Sequence, residues 1–497
     1  MENIQKEKNT LRNKRKWEGN VKTGWGSKFG TSKYLIIMKG ENIVSNIDIR
    51  MVPIDKDNVS IQRDMSKCIK CNMCKDICKN ETTVARMYEL DKSRKPICIN
   101  CGQCANFCPT EAIKEKIEFD KVREEIKDPN KVVIVSIAPA VRVALGEEFG
   151  LEEGCYVEDK IIGALRKLGA NYVFDITFGA DLTIMEETNE LVKRIKENKN
   201  LPLFTSCCPA WVKYAEIFYP ELLPNISTCK SPISMQGSII KTYFANKMEI
   251  NPKNIVNVVV APCTAKKYEI RRPEMNMAGK YLNEGEIRDN DYVITTRELA
   301  EWIKEENINF DEIKPSKFDN PLGRGTGASI IFGNTGGVTE AALRTAYYLI
   351  TKKDLNDDKI EFNVARGMEG IKEASIDIDG ITIKVAIANG MKNAKMLIDK
   401  LLKKEVEYHF IEVMNCSGGC IAGGGQPKIT LANLENARLK RIESLYKKDA
   451  SMEKRLSYKN PDIIEIYKEF FKEPLSEISE ELLHTKYEDK SYMLDRT

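Results

Sequence analysis

The chain has 497 residues, of which 42% are hydrophobic and 30% charged, and its net charge is +3. This is the composition of a globular protein of roughly two to four domains, and so small a charge excludes an electrostatic footprint for nucleic acid. The longest apolar stretch, Val132 to Leu145, is interrupted by Pro139 and Arg142 and is too short to span a bilayer; the polar N-terminus lacks the apolar core of a signal peptide. A cytoplasmic protein with no membrane partner is expected. In that reducing compartment fifteen cysteines read as metal or redox ligands rather than disulfides. With only two histidines, His409 and His484, proton chemistry must lean on Cys, Glu, Lys or water.

Residues 1–60 form an extension without cysteine. Its basic patch, Arg12 to Lys16, reads as a solvated tail, and its apolar runs Tyr34 to Met38 and Ile43 to Val52 as a hairpin. Residues 61–125 hold two cysteine runs, Cys68-x2-Cys71-x2-Cys74-x3-Cys78 and Cys98-x2-Cys101-x2-Cys104-x3-Cys108-Pro109. Thiolates at i, i+3 and i+6 wrap three corners of a 4Fe-4S cube, and the fourth cysteine of each run serves the other cube. The spacing predicts one cluster on Cys68, Cys71, Cys74 and Cys108 and a second on Cys98, Cys101, Cys104 and Cys78, a pattern that resembles the bacterial ferredoxins. Paired zinc sites would instead set their C-x2-C pairs well apart. The module ends in the charged stretch Glu115 to Lys127 and the break at Pro129.

From Lys131 apolar runs alternate with amphipathic stretches, the signature of parallel sheets flanked by helices. Strands are expected at Val132 to Ile137, Tyr172 to Ile176, Leu203 to Thr205, Ile255 to Val260, Ile381 to Ala388 and Tyr408 to Val413. Helices are expected at Glu158 to Leu168, Leu182 to Glu197, Trp211 to Leu222 and Ala394 to Lys404. The fold class is an α+β ferredoxin-like module, then a two-lobed α/β catalytic domain over 130–430 with parallel-type sheets. A helical C-terminal segment over 431–497 completes it. The Pro/Gly/Asp-rich stretch Lys314 to Thr326 is the expected lobe boundary.

Three further cysteine motifs each follow an apolar strand: Leu203-Phe-Thr-Ser-Cys207-Cys208-Pro209-Ala210-Trp211, Val258-Val-Val-Ala-Pro262-Cys263-Thr264-Ala265-Lys266, and Ile411-Glu-Val-Met-Asn-Cys416-Ser-Gly-Gly-Cys420. Ligands of open parallel sheets bind beyond the carboxyl ends of the strands, so these five cysteines are expected to share one cleft. Pro209 suits the first position of a helix, which places Cys207 and Cys208 where backbone amides favour thiolate. One 4Fe-4S cube takes four thiolates, leaving one thiol spare for protons. Gly418, Gly419 and Gly423 to Gly425 read as room for backbone to approach a bulky cofactor. Glu187 and Glu190 are i, i+3 neighbours on one helix face, with Arg194 in pairing range of Glu190.

Together the three motifs resemble the H-cluster signatures of the [FeFe] (iron-only) hydrogenases, T-S-C-C-P-x-W, M-P-C-x-x-K-x-x-E and E-x-M-x-C-x-x-G-C-x-x-G-G-G-x-P, and the resemblance runs from Ile61 to Tyr487. It implies an enzyme that interconverts H2 with protons and electrons, the electrons crossing both 4Fe-4S clusters to or from a soluble carrier such as ferredoxin. It implies that Cys208, Cys263, Cys416 and Cys420 hold a further 4Fe-4S cube. Cys420 would bridge that cube to a two-iron subcluster carrying CO, cyanide and a dithiolate, installed by maturation proteins; the whole is the H-cluster. By the same resemblance the spare thiol is Cys207, and protons pass Cys207, Glu187, Ser227, Glu190, then solvent. Lys266 would donate to a cyanide ligand, with Lys267 at the surface.

Some residues depart from the pattern. Ala261 stands where Met is usual, Asn415 and Ser417 flank Cys416, and Ala210 precedes Trp211; all are expected to line the two-iron site and to shift the ratio of H2 oxidation to evolution. Cys155 and Cys229 read as buried structural thiols, and neither histidine as a ligand. Gly333-Asn-Thr-Gly336-Gly337 is a lone turn that fails nucleotide-binding spacing. Two alternatives fit less well: a cluster carrier has no need of Cys207 or of a proton path, and a hydrogen sensor needs an attached signalling domain.

Overall fold

The computed structural model describes residues 50–88, 96–356 and 359–494. The basic patch at 12–16 and all but the last residues of the expected hairpin lie outside the described residues. In chain order the strands are β1 (Ile61–Arg63), β2 (Ile113–Glu115), β3 (Val132–Ile137), β4 (Tyr172–Asp175), β5 (Leu203–Phe204), β6 (Ile255–Ala261), β7 (Tyr292–Thr295), β8 (Ile371–Ile378), β9 (Ile381–Asn389) and β10 (Phe410–Met414). Antiparallel β1 and β2, with the helices Met73–Asn80 and Gln103–Asn106, make the small α+β module.

The first lobe is a wholly parallel sheet in the order β4-β3-β6-β7. Its central strands are near-continuous runs of Val and Ile because helices cover both faces. Val133, Val135, Ile137, Val258 and Val260 share one core with Leu165, Leu299 and Trp302. Each such side chain, once buried, contributes about 1.5–3 kcal/mol.

The second lobe is a mixed sheet in the order β5-β10-β9-β8, with β8 antiparallel to β9. The β8–β9 hairpin turns at Asp379 and Gly380, both at positive φ, which these two residue types tolerate. The expected boundary at Lys314 to Thr326 needs correction. β5 pairs Leu203 with Phe410, so the chain already contributes to the second sheet before it completes the first.

The helix expected at Leu182 begins at Ile176 and runs to Glu197. Asp175, at the end of β4, accepts a hydrogen bond from the Thr177 amide at 2.8 Å and so caps the helix where the strand stops. This helix is buried along most of its length and carries Asp181, Glu186, Glu187 and Glu190 into the interior. Beyond Leu434 the described residues are helical and irregular, tied down by the buried pair Arg344–Asp449 at 2.8 Å. Their β contact is a single antiparallel bridge between Cys229 and His484. Among the described residues no helix is long and apolar enough to cross a membrane.

Candidate functional site

Thirteen cysteines fall around three cavities. Cys68, Cys71, Cys74 and Cys108 line the first, a hollow of about 330 Å³ counted with its space open to solvent. Cys78, Cys98, Cys101 and Cys104 line the second, of about 390 Å³. Each cavity thus takes three thiols from one run and the last from the other, the grouping expected from the spacing. The third cavity, of about 400 Å³, is lined by Cys207, Cys208, Cys263, Cys416 and Cys420, and Cys101 reaches it from the second.

Local structure explains why these five thiols meet. Cys208 is the N-cap of the helix Pro209–Phe218, with Pro209 in its first turn. Cys263 follows β6, and Cys416 and Cys420 follow β10. Gly419 has φ 96°, a conformation open to glycine that lets the chain fold back between the last two cysteines. For Gly424 the reason differs from the expectation: a Cβ there would stand 2.2 Å from the Cys101 carbonyl oxygen, so its neighbour is the main chain of the cysteine-rich module rather than a cofactor. The module is further clamped by Arg297, whose Nη2 lies 2.6 Å from Glu115 Oε2 and 2.8 Å from the Gly424 carbonyl.

The donor set fits iron-sulfur clusters. Burial, reinforced by neighbouring thiols, pushes Cys101, Cys104 and Cys263 well above the ordinary thiol range. Cys416 is pushed up to about 11 and Cys420 to about 12, again by burial first. Buried thiols packed in this way become thiolates only against metal cations.

Beside the third cavity lies a line of buried polar groups. Burial raises Cys207 far above the usual thiol range, and the nearby Glu187 adds to it. Glu187 has both oxygens buried with no partner in hydrogen-bond geometry. Burial and Glu190 push its carboxyl up to about 8, while Ser227 and the Ser206 amide, near but poorly aligned, pull slightly the other way. Ser227 Oγ donates to Glu190 Oε2 at 2.8 Å, and Arg194 pairs with Glu190 Oε1 at 2.6 Å. Glu190 and Arg194 line an open outer cleft.

Lys266 lines the third cavity. Its Nζ donates to the Cys207 carbonyl at 3.0 Å and to Glu269 Oε2 at 2.6 Å. Burial works against its charge, but Glu269 prevails and holds its pKa above the ordinary lysine value. Lys267 is not at the surface: it is fully buried, donating to the Val293 carbonyl at 2.7 Å and pairing with Glu298 at 2.8 Å. Ala210 and Asn415 line the third cavity, whereas Ala261 packs with Ile176, Ile233, Val259, Ile270 and Val293, and Ser417 is not among the lining residues. Cys155 is exposed, contrary to expectation, because it lies in an irregular turn closed by its amide on Glu152. Cys229 is buried as expected.

Sequence reasoning missed Gln103, Glu269 and His484. Gln103, between Cys101 and Cys104, donates to Cys416 Sγ at 3.0 Å. Glu269 occupies the final position of the second motif, so its signal was present. His484 gave none, because its partners lie about half the chain away in sequence.

Three cysteine-lined cavities on a ferredoxin-like module and a two-lobed α/β frame define an iron-sulfur redox enzyme. The family model for the iron only hydrogenase large subunit, C-terminal domain, matches residues 131–424; models for the iron hydrogenase small subunit and a 4Fe-4S binding domain match 435–490 and 97–114. The chain belongs to the [FeFe] hydrogenase family and is an enzyme acting on H2. It is 42% identical to iron hydrogenase 1 of Clostridium pasteurianum over 87% of this chain and 77% of that one. It is 45% identical to the NADP-reducing hydrogenase subunit HndD of Solidesulfovibrio fructosivorans, over 86% and 75% of the two chains. The solved structure of apo [FeFe]-hydrogenase HydA1 from Chlamydomonas reinhardtii is 41% identical, with a TM-score of 0.66 over 75% of this chain and 98% of that one.

Proposed function

We propose that this hydrogenase passes electrons between a soluble carrier such as ferredoxin and its H2 site through two 4Fe-4S clusters, in the cytoplasm. Residues 61–125 act as the electron-transfer module and 130–430 as the catalytic domain. The observation that carries this reading is the partition of thirteen cysteines among three cavities, with Cys101 common to the second and third. Cys68, Cys71, Cys74 and Cys108 hold the outer cluster; Cys78, Cys98, Cys101 and Cys104 hold the inner one. Cys208, Cys263, Cys416 and Cys420, which line the third cavity, would hold the H-cluster, whose two-iron part maturation proteins would supply. When bound, that two-iron group, carrying CO, cyanide and a dithiolate, would supply the chemistry of heterolytic H2 cleavage.

The chain's own groups then move the proton. Cys207 takes it at Sγ as the thiol's own proton passes to Glu187, on an oxygen that no other group engages. A carboxyl with a pKa near 8 takes and gives a proton readily at neutral pH. Ser227 hands the proton to Glu190 through the 2.8 Å bond, and Glu190 opens on the outer cleft. Lys266, held by Glu269 and the Cys207 carbonyl, brings a positive charge to the cavity and steadies the main chain beneath the proton-accepting thiol.

The test is Cys207→Ser. H2 turnover should fall roughly a hundredfold or more while iron content and cluster spectra stay at the parent level. Turnover near the parent level in the fully loaded variant would contradict the relay.

A further inference from the structure

We propose that Glu190, Cys229 and His484 form a binding site for a zinc-like divalent cation at the outer end of the proton relay. Cys229 Sγ lies 3.9 Å from Glu190 Oε2 and 4.0 Å from His484 Nδ1, and the three ligand atoms all lie within 4.8 Å of one another. Tetrahedral zinc with bonds of about 2.3 Å to sulfur and about 2.1 Å to nitrogen or oxygen needs sulfur-to-ligand separations of roughly 3.6 Å, so the two separations from Cys229 Sγ close by a few tenths of an ångström, and Glu190 and His484, within 4.8 Å of each other, draw together around the ion. A thiolate and an imidazole favour zinc over magnesium or calcium.

The scaffold is built for the imidazole. Cys229 and His484 face each other across an antiparallel bridge, flanked by the bonds from Thr485 N to Thr228 O at 2.7 Å and from Lys230 N to Leu483 O at 2.8 Å. His484 Nε2 lies 3.2 Å from Glu186 Oε2, itself held by the Leu475 amide at 2.8 Å. A carboxylate only accepts, so Nε2 carries the hydrogen and Nδ1 offers its lone pair, which the Thr228 hydroxyl now occupies at 2.8 Å. A carboxylate behind one imidazole nitrogen with the other free to ligate is the arrangement that orients metal-bound histidines.

Charge and access agree with the geometry. Arg194 engages Glu190 Oε1, while Oε2, which accepts from the Ser227 hydroxyl at 2.8 Å and the Thr228 amide at 3.2 Å, lies 3.9 Å from the thiol. Glu190 and His484 both line the outer cleft, the route by which an ion reaches the buried sulfur. On binding, the Cys229 thiol releases its proton to solvent as the metal–sulfur bond forms. The ion then competes with Ser227 for the same oxygen of Glu190 and closes the proton exit. That last consequence rests on the relay proposed above; the site itself does not.

The experiment adds zinc chloride to the anaerobic, fully loaded enzyme and reads the zinc K-edge absorption, with binding by equilibrium dialysis and H2 turnover in parallel. The expected result is a zinc shell containing one sulfur at about 2.3 Å, binding about tenfold or more weaker in both Cys229→Ala and Cys229→Ser, and turnover that falls as zinc binds. A shell without sulfur, or equal affinity in the parent and both variants, would overturn the site. Sulfur-ligated zinc with unchanged turnover would uphold the site and overturn the place of Glu190 in the relay.

Discussion

Gln103 Nε2 lies 3.0 Å from Cys416 Sγ and 2.9 Å from the Ala422 carbonyl, so a side chain of the ferredoxin-like module reaches a thiol of the catalytic cavity. Cys101, two residues earlier, lines that cavity as well. The module is thus joined to the catalytic domain between the second and third cavities, where the proposed electron path would cross.

Hydrogen bonds to cluster sulfurs stabilise the reduced, more negative state and raise the potential. Gln103→Leu should therefore lower the potential of the cluster proposed at Cys416, by an amount on the order of tens of millivolts. A redox titration followed by electron paramagnetic resonance measures it. An unchanged potential would mean that the contact only packs the two parts together.

Glu187 gives a pH signature. Its folded pKa, about 8, is raised above the ordinary 4.5 by burial first and by Glu190 second. A carboxyl that binds its proton more tightly when folded favours folding fully below the unfolded pKa, and that advantage is lost as pH rises from 4.5 through about 8. Glu187→Gln should flatten this dependence, so that its stability relative to the parent is greater at pH 8 than at pH 5. Thermal melts at the two values test this; parallel shifts of parent and variant would contradict the assignment. The same substitution should cut turnover roughly a hundredfold or more, because an amide cannot relay a proton.

Lys230 and Asp289 are both fully buried and 2.9 Å apart, directly after the segment that carries Ser227 and Cys229. Asp289→Asn leaves a buried ammonium without its counter-charge and should cost about 3–5 kcal/mol. Denaturant midpoints measure the loss. A change below about 1 kcal/mol would show that Ser238, at 2.5 Å from the same Nζ, suffices.

Much of the frame was legible in the sequence because its strands are long apolar runs with helical patterns between them. β3, β6, β9 and β10 stand within a few residues of where their Val and Ile runs place them. β8 was missed, although Asp379-Gly380 is a hairpin signal, because Glu373, Ser375 and Asp377 face solvent and the buried Lys372 breaks the apolar alternation of the other face. β7, four residues long, offered too little periodicity. The cysteine groupings could be read because iron-sulfur geometry fixes local spacing. The contacts of Gln103, Lys267 and His484 could not, since each depends on a partner brought near only by the fold.

The most direct measurement is an infrared spectrum of the enzyme purified anaerobically from a host that supplies hydrogenase maturation proteins. The expected spectrum shows stretching bands of iron-bound CO and cyanide, accompanied by iron for three 4Fe-4S cubes. Three filled cubes with no such bands would contradict the assignment of the five-cysteine cavity as an H2-splitting site.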